Sequence, residues 1–129
     1  MAKPYTLKKL TDVEDSAPKS GFGEVQEARF AKDALEAEDT GFSYHRVKAH
    51  QRQPFAHRHE RAEEVYVVLA GSGRVKLDDD VVELQELDAI RVAPEVTRAF
   101  EAGPLGLDLL AFGPRRDGDG EVLMGWWAD

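Results

Sequence analysis

The residues of this chain best suited to chemistry are His57, His59 and Glu64, in the stretch HRHERAEEVYVVLAG at 57–71. Imidazole and carboxylate groups bind zinc, nickel, iron, manganese or cobalt. Two histidines with one carboxylate also leave open positions for water or a substrate. His57 and His59 are two apart, so on an extended segment both project to one side. Glu64 is an odd number of residues past His59, and an unbroken strand would turn it away. The spacing therefore predicts a bend at 60–62 that resets the alternation, with a new strand starting at Glu64. Tyr66 and Val68 then share the Glu64 face, Glu63 faces solvent or a neighbouring element, and Glu60 lies exposed in the bend. Taken alone, a His-x-His pair also reads as a charged polar turn; the glutamate, strand and glycines that follow point to a ligand set. No other constellation competes with it. The chain has no cysteine, no serine in a nucleophile-elbow context and no phosphate-cradling glycine loop.

These residues need rigid elements to hold them, and the surrounding pattern is β. FSYHRV (42–47) alternates loosely, and EVYVVLA (64–70) is rich in β-branched and aromatic residues, with a turn expected at Gly71, Ser72 and Gly73. RVKL and VVEL flank Asp78, Asp79 and Asp80 as a hairpin. AIRVA is expected to stop at Pro94, VTRAF near Gly103 and Pro104, and LDLLAF at Gly113 and Pro114. Several short strands at close spacing indicate an all-β sandwich or barrel rather than a parallel α/β sheet. Residues 1–40 read as an N-terminal arm with a possible strand and helical turn: 24–31 fit strand or helix, and 32–41 favour one helical turn. Residues 41–113 form the barrel core. Residues 114–129 form a C-terminal tail packing on the barrel, with Trp126 and Trp127 as packing anchors.

Both faces of 64–70 are apolar, so both should be covered. The second cover is the N-terminal arm, an intramolecular sheet contact or another subunit. A two-fold homodimer is the expected form, closed pairs being the commonest oligomers.

The 129 residues suffice for one domain with one core. A net charge of −8 argues against nucleic acid as a partner, and the short basic pairs Lys8-Lys9 and Arg115-Arg116 read as solvated surface. The apolar run at 65–70 is far too short to span a bilayer. The N-terminal residues lack the apolar stretch of a secretory signal. A cytoplasmic protein without membrane contact is the resulting expectation.

The stretch at 57–71 resembles the first sequence motif of the cupins: His-x-His, three or four residues, Glu, six residues, Gly. His57, His59, Glu64 and Gly71 match it, while His50 or Gln51 stands near the place of its leading glycine. The resemblance covers roughly 42–113. It implies a double-stranded β-helix, the jelly-roll barrel whose sheets enclose a pocket, and a divalent metal held by His57, His59 and Glu64. The second cupin motif is altered. In LDAIRVAPEVTRAFEA (87–102), Leu87 replaces a glycine, Ala93 and Glu95 replace the proline and glycine around Pro94, and Ala102 replaces an asparagine. Arg98 stands where the resemblance places a fourth, histidine ligand.

Val96, Arg98 and Phe100 share a face that carries the large apolar residues, so Arg98 is expected to point into the barrel. A buried guanidinium needs acceptors, and Glu64 offers a bidentate pair. A metal beside it would be repelled. Three outcomes stay open: Arg98 replaces the metal, it sits beside a three-ligand metal and clamps an anion, or it reaches outward to water. Tyr66 offers a hydroxyl to a ligand or a ring to packing. His45 shares its parity with Val47 and can line the pocket or serve as a core or surface histidine. The sequence thus indicates a pocket for a small anionic molecule contacted by Arg98, Tyr66 and His45, with a possible metal. The alternatives are a metal-dependent enzyme of dioxygenase or isomerase type, and a structural dimeric domain without ligand. A jelly roll alone selects no reaction.

Overall fold

The computed structural model of the chain describes residues 4–114 and 118–127. Eight strands form among them: β1 Gln26–Phe30, β2 Gly41–Val47, β3 Phe55–His59, β4 Glu64–Leu77, β5 Asp80–Leu84, β6 Ala89–Val92, β7 Arg98–Gly113 and β8 Gly120–Met124. The two longest, β4 and β7, pair antiparallel from Val65 opposite Phe112 to Leu77 opposite Arg98. The first half of β4 also pairs with β6 and its second half with β5. On its other edge β7 pairs with β2 and meets β3 where His57 faces Arg98. β1 extends β2, and β8 extends β3. The sheet curls on itself as the expected jelly-roll barrel.

Two expected breaks are absent, and both fall at one corner. β4 runs through Gly71, Ser72 and Gly73, where a turn was expected, and β7 runs through Gly103 and Pro104. The register shifts between Val68 and Ala70 and again between Gly71 and Gly73, so the paired strands bend together instead of ending. Gly71 permits this with a φ of 79°, and a Cβ there would stand 2.0 Å from the Gly106 carbonyl oxygen. Gly71→Ala is therefore expected to destabilise by about 2 kcal/mol or more, read as a lower urea midpoint. The expected hairpin does form: Leu77 pairs with Asp80, and Asp78 opens the loop at φ 52°.

Residues 24–31 supply β1, which decides between the strand and helix readings. At 32–41 there is one turn, closed by Leu35 N–H donating to Ala31 O, and no helix; Glu36 at φ 57° ends it. The arm holds two 3-10 turns, Leu10–Asp12 and Pro18–Ser20. Asp15 Oδ1 fastens it to β1 by accepting the Ala17 and Ala28 N–H groups at 3.0 and 2.9 Å. At the other end the tail supplies β8. Trp126 and Trp127 anchor it beneath Lys76 and Arg52, and Trp127 Nε1 donates to Gln53 O. Arg115 and Arg116 lie outside the described residues.

The core is drawn from Val47, Val68, Val75, Phe100, Leu107 and Leu109, all buried; each side chain of this size contributes about 1.5–3 kcal/mol. Parity holds on β4: Tyr66 and Val68 are buried, while Val65 and Val67 are half-buried and Leu69 is exposed. No helix among the described residues is long and apolar enough to cross a membrane.

Candidate metal centre

The bend after β3 forms as the parity argument requires, and a distant carboxylate explains why. Asp119, just before β8, accepts the N–H groups of Glu60, Arg61 and Ala62 at 3.0, 2.9 and 3.0 Å. Burial acts to raise the Asp119 carboxyl. The N–H groups of Arg61, Ala62 and Glu60, with His59 nearby, outweigh it and hold the group below its usual value. With the bend fixed, β4 starts with Glu64 turned towards both histidines.

His57 and His59 aim their Nε2 atoms at the same oxygen. Glu64 Oε1 lies 3.3 Å from His57 Nε2 and 3.1 Å from His59 Nε2. The three donor atoms all fall within 4.8 Å of one another. For metal–ligand bonds of about 2.1 Å, neighbouring ligand atoms stand about 3.0–3.4 Å apart. Both histidine–carboxylate separations fall in that range, and the group could hold a metal ion.

That oxygen is also shared with two other donors. The Tyr66 hydroxyl donates to Glu64 Oε1 at 2.7 Å and Arg98 Nη2 at 2.5 Å. Burial opposes ionisation of Glu64, but hydrogen bonds from His57 and Tyr66 and the Arg98 charge hold its carboxyl far below the carboxylate range. Burial first, and then the Glu64 charge, push the Tyr66 phenol well up, so it keeps its proton at ordinary pH.

Arg98 points inward as expected, and its side chain has no exposed surface. The expected bidentate pair does not form. Nη2 alone reaches the carboxylate; Nε donates to the Tyr66 hydroxyl at 3.2 Å, and Nη1 to Val96 O at 2.8 Å and Pro94 O at 3.3 Å. Nearby carbonyls compete for the fork, and they hold the head in place. The outward-reaching alternative is thereby closed.

A cavity of about 380 Å³ adjoins these residues. Phe22, Phe30, Phe55, Tyr66 and Phe100 line it, and the arm, read in the sequence only as an appendage, supplies part of the wall through Ser16, Ala17 and Phe22. His45, His57, His59 and Glu64 reach the same space, but Arg98 does not, and among the described residues no lysine or arginine lines it. A second cavity of about 520 Å³ shares His59 and Glu64 and adds Lys32 and Asp33. His45 lies on β2, with Nε2 2.8 Å from Ser43 Oγ and Nδ1 buried without a hydrogen-bond partner. Burial above all, then His57, lowers its pKa from 6.5 to about 4, against an opposing pull from Glu64.

Sequence reasoning missed Asp119. Its neighbourhood, DGDG at 117–120, reads as loop, and nothing local shows which aspartate reaches back to 60–62.

A curled barrel with two histidines and a glutamate converging beside an apolar cavity defines a jelly-roll protein with a candidate metal centre. Residues 43–103, which hold all three donor residues, match the family model for the cupin domain. It is similar to a cupin protein of Bacteroides fragilis, at 24% identity over 91% of this chain and 89% of that one, with a TM-score of 0.70. The polyketide cyclase RemF of Streptomyces resistomycificus is 21% identical over 94% of this chain and 85% of its own, with a TM-score of 0.75. A salicylate 1,2-dioxygenase of Pseudoaminobacter salicylatoxidans is 17% identical over 88% of this chain but 35% of its own, with a TM-score of 0.65. No curated protein matches the sequence.

Proposed function

We propose that the barrel holds a divalent transition metal on His57, His59 and Glu64 and binds a small, flat, largely apolar molecule in the adjoining cavity. The observation that carries this reading is the convergence of the two Nε2 atoms and Glu64 Oε1 within 4.8 Å. The metal, when bound, supplies Lewis-acid polarisation of a ligand oxygen or a place for dioxygen.

The chain's own residues define the rest. The five aromatic rings exclude water and favour an aromatic ligand. An anionic group on that ligand would be met by the metal or, in the second cavity, by Lys32, since Arg98 lies behind Glu64. Tyr66 and Arg98 orient the carboxylate, and His45 with Ser43 offers polar contact on the β2 side. The names of two structural relatives, a polyketide cyclase and a salicylate dioxygenase, support an aromatic ligand class without selecting a reaction. As part of the same reading, a second copy covers the outer face at Leu69, and sedimentation of the purified protein measures this directly.

The test is elemental analysis of untagged protein never exposed to a metal-affinity column. One equivalent of a transition metal is expected, with none in His57→Ala. Salicylate, as a probe, is then expected to raise the melting temperature of the metal-loaded protein. A second reading rests on the short Arg98–Glu64 contact, which already neutralises the carboxylate: the cavity would bind its ligand without metal. Protein that arrives metal-free, takes up none and is still stabilised by salicylate would establish that reading instead.

A further inference from the structure

Asp119 lies outside the segment that matches the cupin family, yet it touches the residues that build the site. Its carboxylate gathers three successive N–H groups of the 60–62 bend, and Oδ2 also stands 3.3 Å from His59 Nδ1. The alignment of that last contact is short of a formed hydrogen bond, and His59 Nδ1 is buried with no other partner. Asp119 is the acceptor within reach, and a small rotation of the ring completes the bond. On the far side of the ring, Nε2 faces Glu64 Oε1 and the His57 ring.

We propose that Asp119 is a positioning residue for the metal site: it accepts a hydrogen bond from the His59 Nδ1 proton when the Nε2 lone pair binds a metal, and so ties metal affinity to the C-terminal strand. This rests on the metal reading above. A neutral imidazole has one N–H, and the nitrogen that carries it is set by the partner of the other. A carboxylate behind a metal-binding histidine fixes both tautomer and ring orientation, and its loss typically costs 10–100-fold in affinity. Asp119 combines this with control of the ligand spacing, because the bend it holds is what turns Glu64 towards His57 and His59. β8 follows directly, with Gly120 opposite His59 in the β3–β8 register and Val122 opposite His57. The tail is thus joined to the site both along its backbone and through one side chain.

The experiment compares wild type, Asp119→Asn and Glu121→Gln. Asparagine keeps an acceptor for the Glu60 and Arg61 N–H groups but puts an NH2 in place of Oδ2, which removes the acceptor for the Ala62 N–H and for a His59 Nδ1 proton. Glu121 pairs with Arg58 at the surface and controls for changes in β8. Cobalt(II) affinity is measured by titration, and the His59 Nδ1–H resonance by nitrogen-15 NMR of zinc-loaded protein. Asp119→Asn is expected to bind cobalt 10–100-fold more weakly and, in the zinc-loaded state, to lose the hydrogen-bonded His59 Nδ1–H resonance, while Glu121→Gln matches wild type. Weaker binding with an unchanged Nδ1–H resonance would mean that Asp119 only holds the bend, and overturns the proposal. Unchanged affinity in Asp119→Asn overturns it while leaving the metal reading intact. Failure of wild type itself to bind cobalt removes the metal reading and this inference together.

Discussion

Arg98→Met is expected to destabilise the protein by about 3–5 kcal/mol, the range for removing one member of a buried ion pair. The guanidinium has no exposed surface and Glu64 is mostly buried. Removing it therefore strands a carboxylate in the barrel and also frees the Val96 and Pro94 carbonyls and the Tyr66 hydroxyl. Loss of surface contact alone would give far less. The double variant Arg98→Met with Glu64→Gln should recover much of the loss, because no unpaired charge remains. The metal reading adds a further expectation. With its cation gone, Glu64 is free to meet a metal, so zinc or cobalt should restore stability to Arg98→Met more than it stabilises wild type. Urea unfolding of the four proteins in the double-mutant cycle, with and without metal, measures both effects. A single variant no less stable than the double would show that Arg98 and Glu64 are not coupled.

The pair also shows how far the sequence could be read. Strand alternation placed Arg98 and Tyr66 on inward faces and required a bend at 60–62, because these follow from period-two geometry and the odd offset of Glu64. The ligand trio was legible for the same reason: His57 and His59 are adjacent on one strand and Glu64 opens the next. What could not be read depends on residues distant in the chain. Asp119 reaches the bend only once β8 has paired with β3. The carbonyls that divert the Arg98 fork belong to the turn before β7. The arm supplies cavity wall only because Asp15 pins it to β1. At 71–73 and 103–104 local signals were present and misled. Glycine and proline suggested breaks, but pairing along most of the length of two long strands outweighed that preference, and the register shifts absorbed the strain.

Acidification offers a second large effect, and its direction follows from His45. In the unfolded chain this imidazole titrates near 6.5; in the barrel, burial holds it neutral down to about 4. Between those values the unfolded state binds more protons than the folded one, so stability rises with pH across the window. Falling pH therefore removes it, by about 3 kcal/mol between pH 6.5 and 4 if the whole displacement is realised. Below pH 4, His45 is protonated in both states and contributes no further change. Glu64 acts lower on the scale. Its carboxyl is depressed in the fold, so its contribution is present above the unfolded value near 4.5 and is lost as pH falls below that. Two successive losses are expected, the first belonging to a histidine on the cavity wall and the second to a candidate metal ligand. His45→Gln separates them, since glutamine preserves a polar partner for Ser43 but does not titrate. Urea unfolding at pH 7, 5.5, 4 and 3 should show a flattened upper window for His45→Gln, with the lower loss retained. The same slope as wild type between pH 6.5 and 4 would place the upper titration on another group and leave His45 without this role.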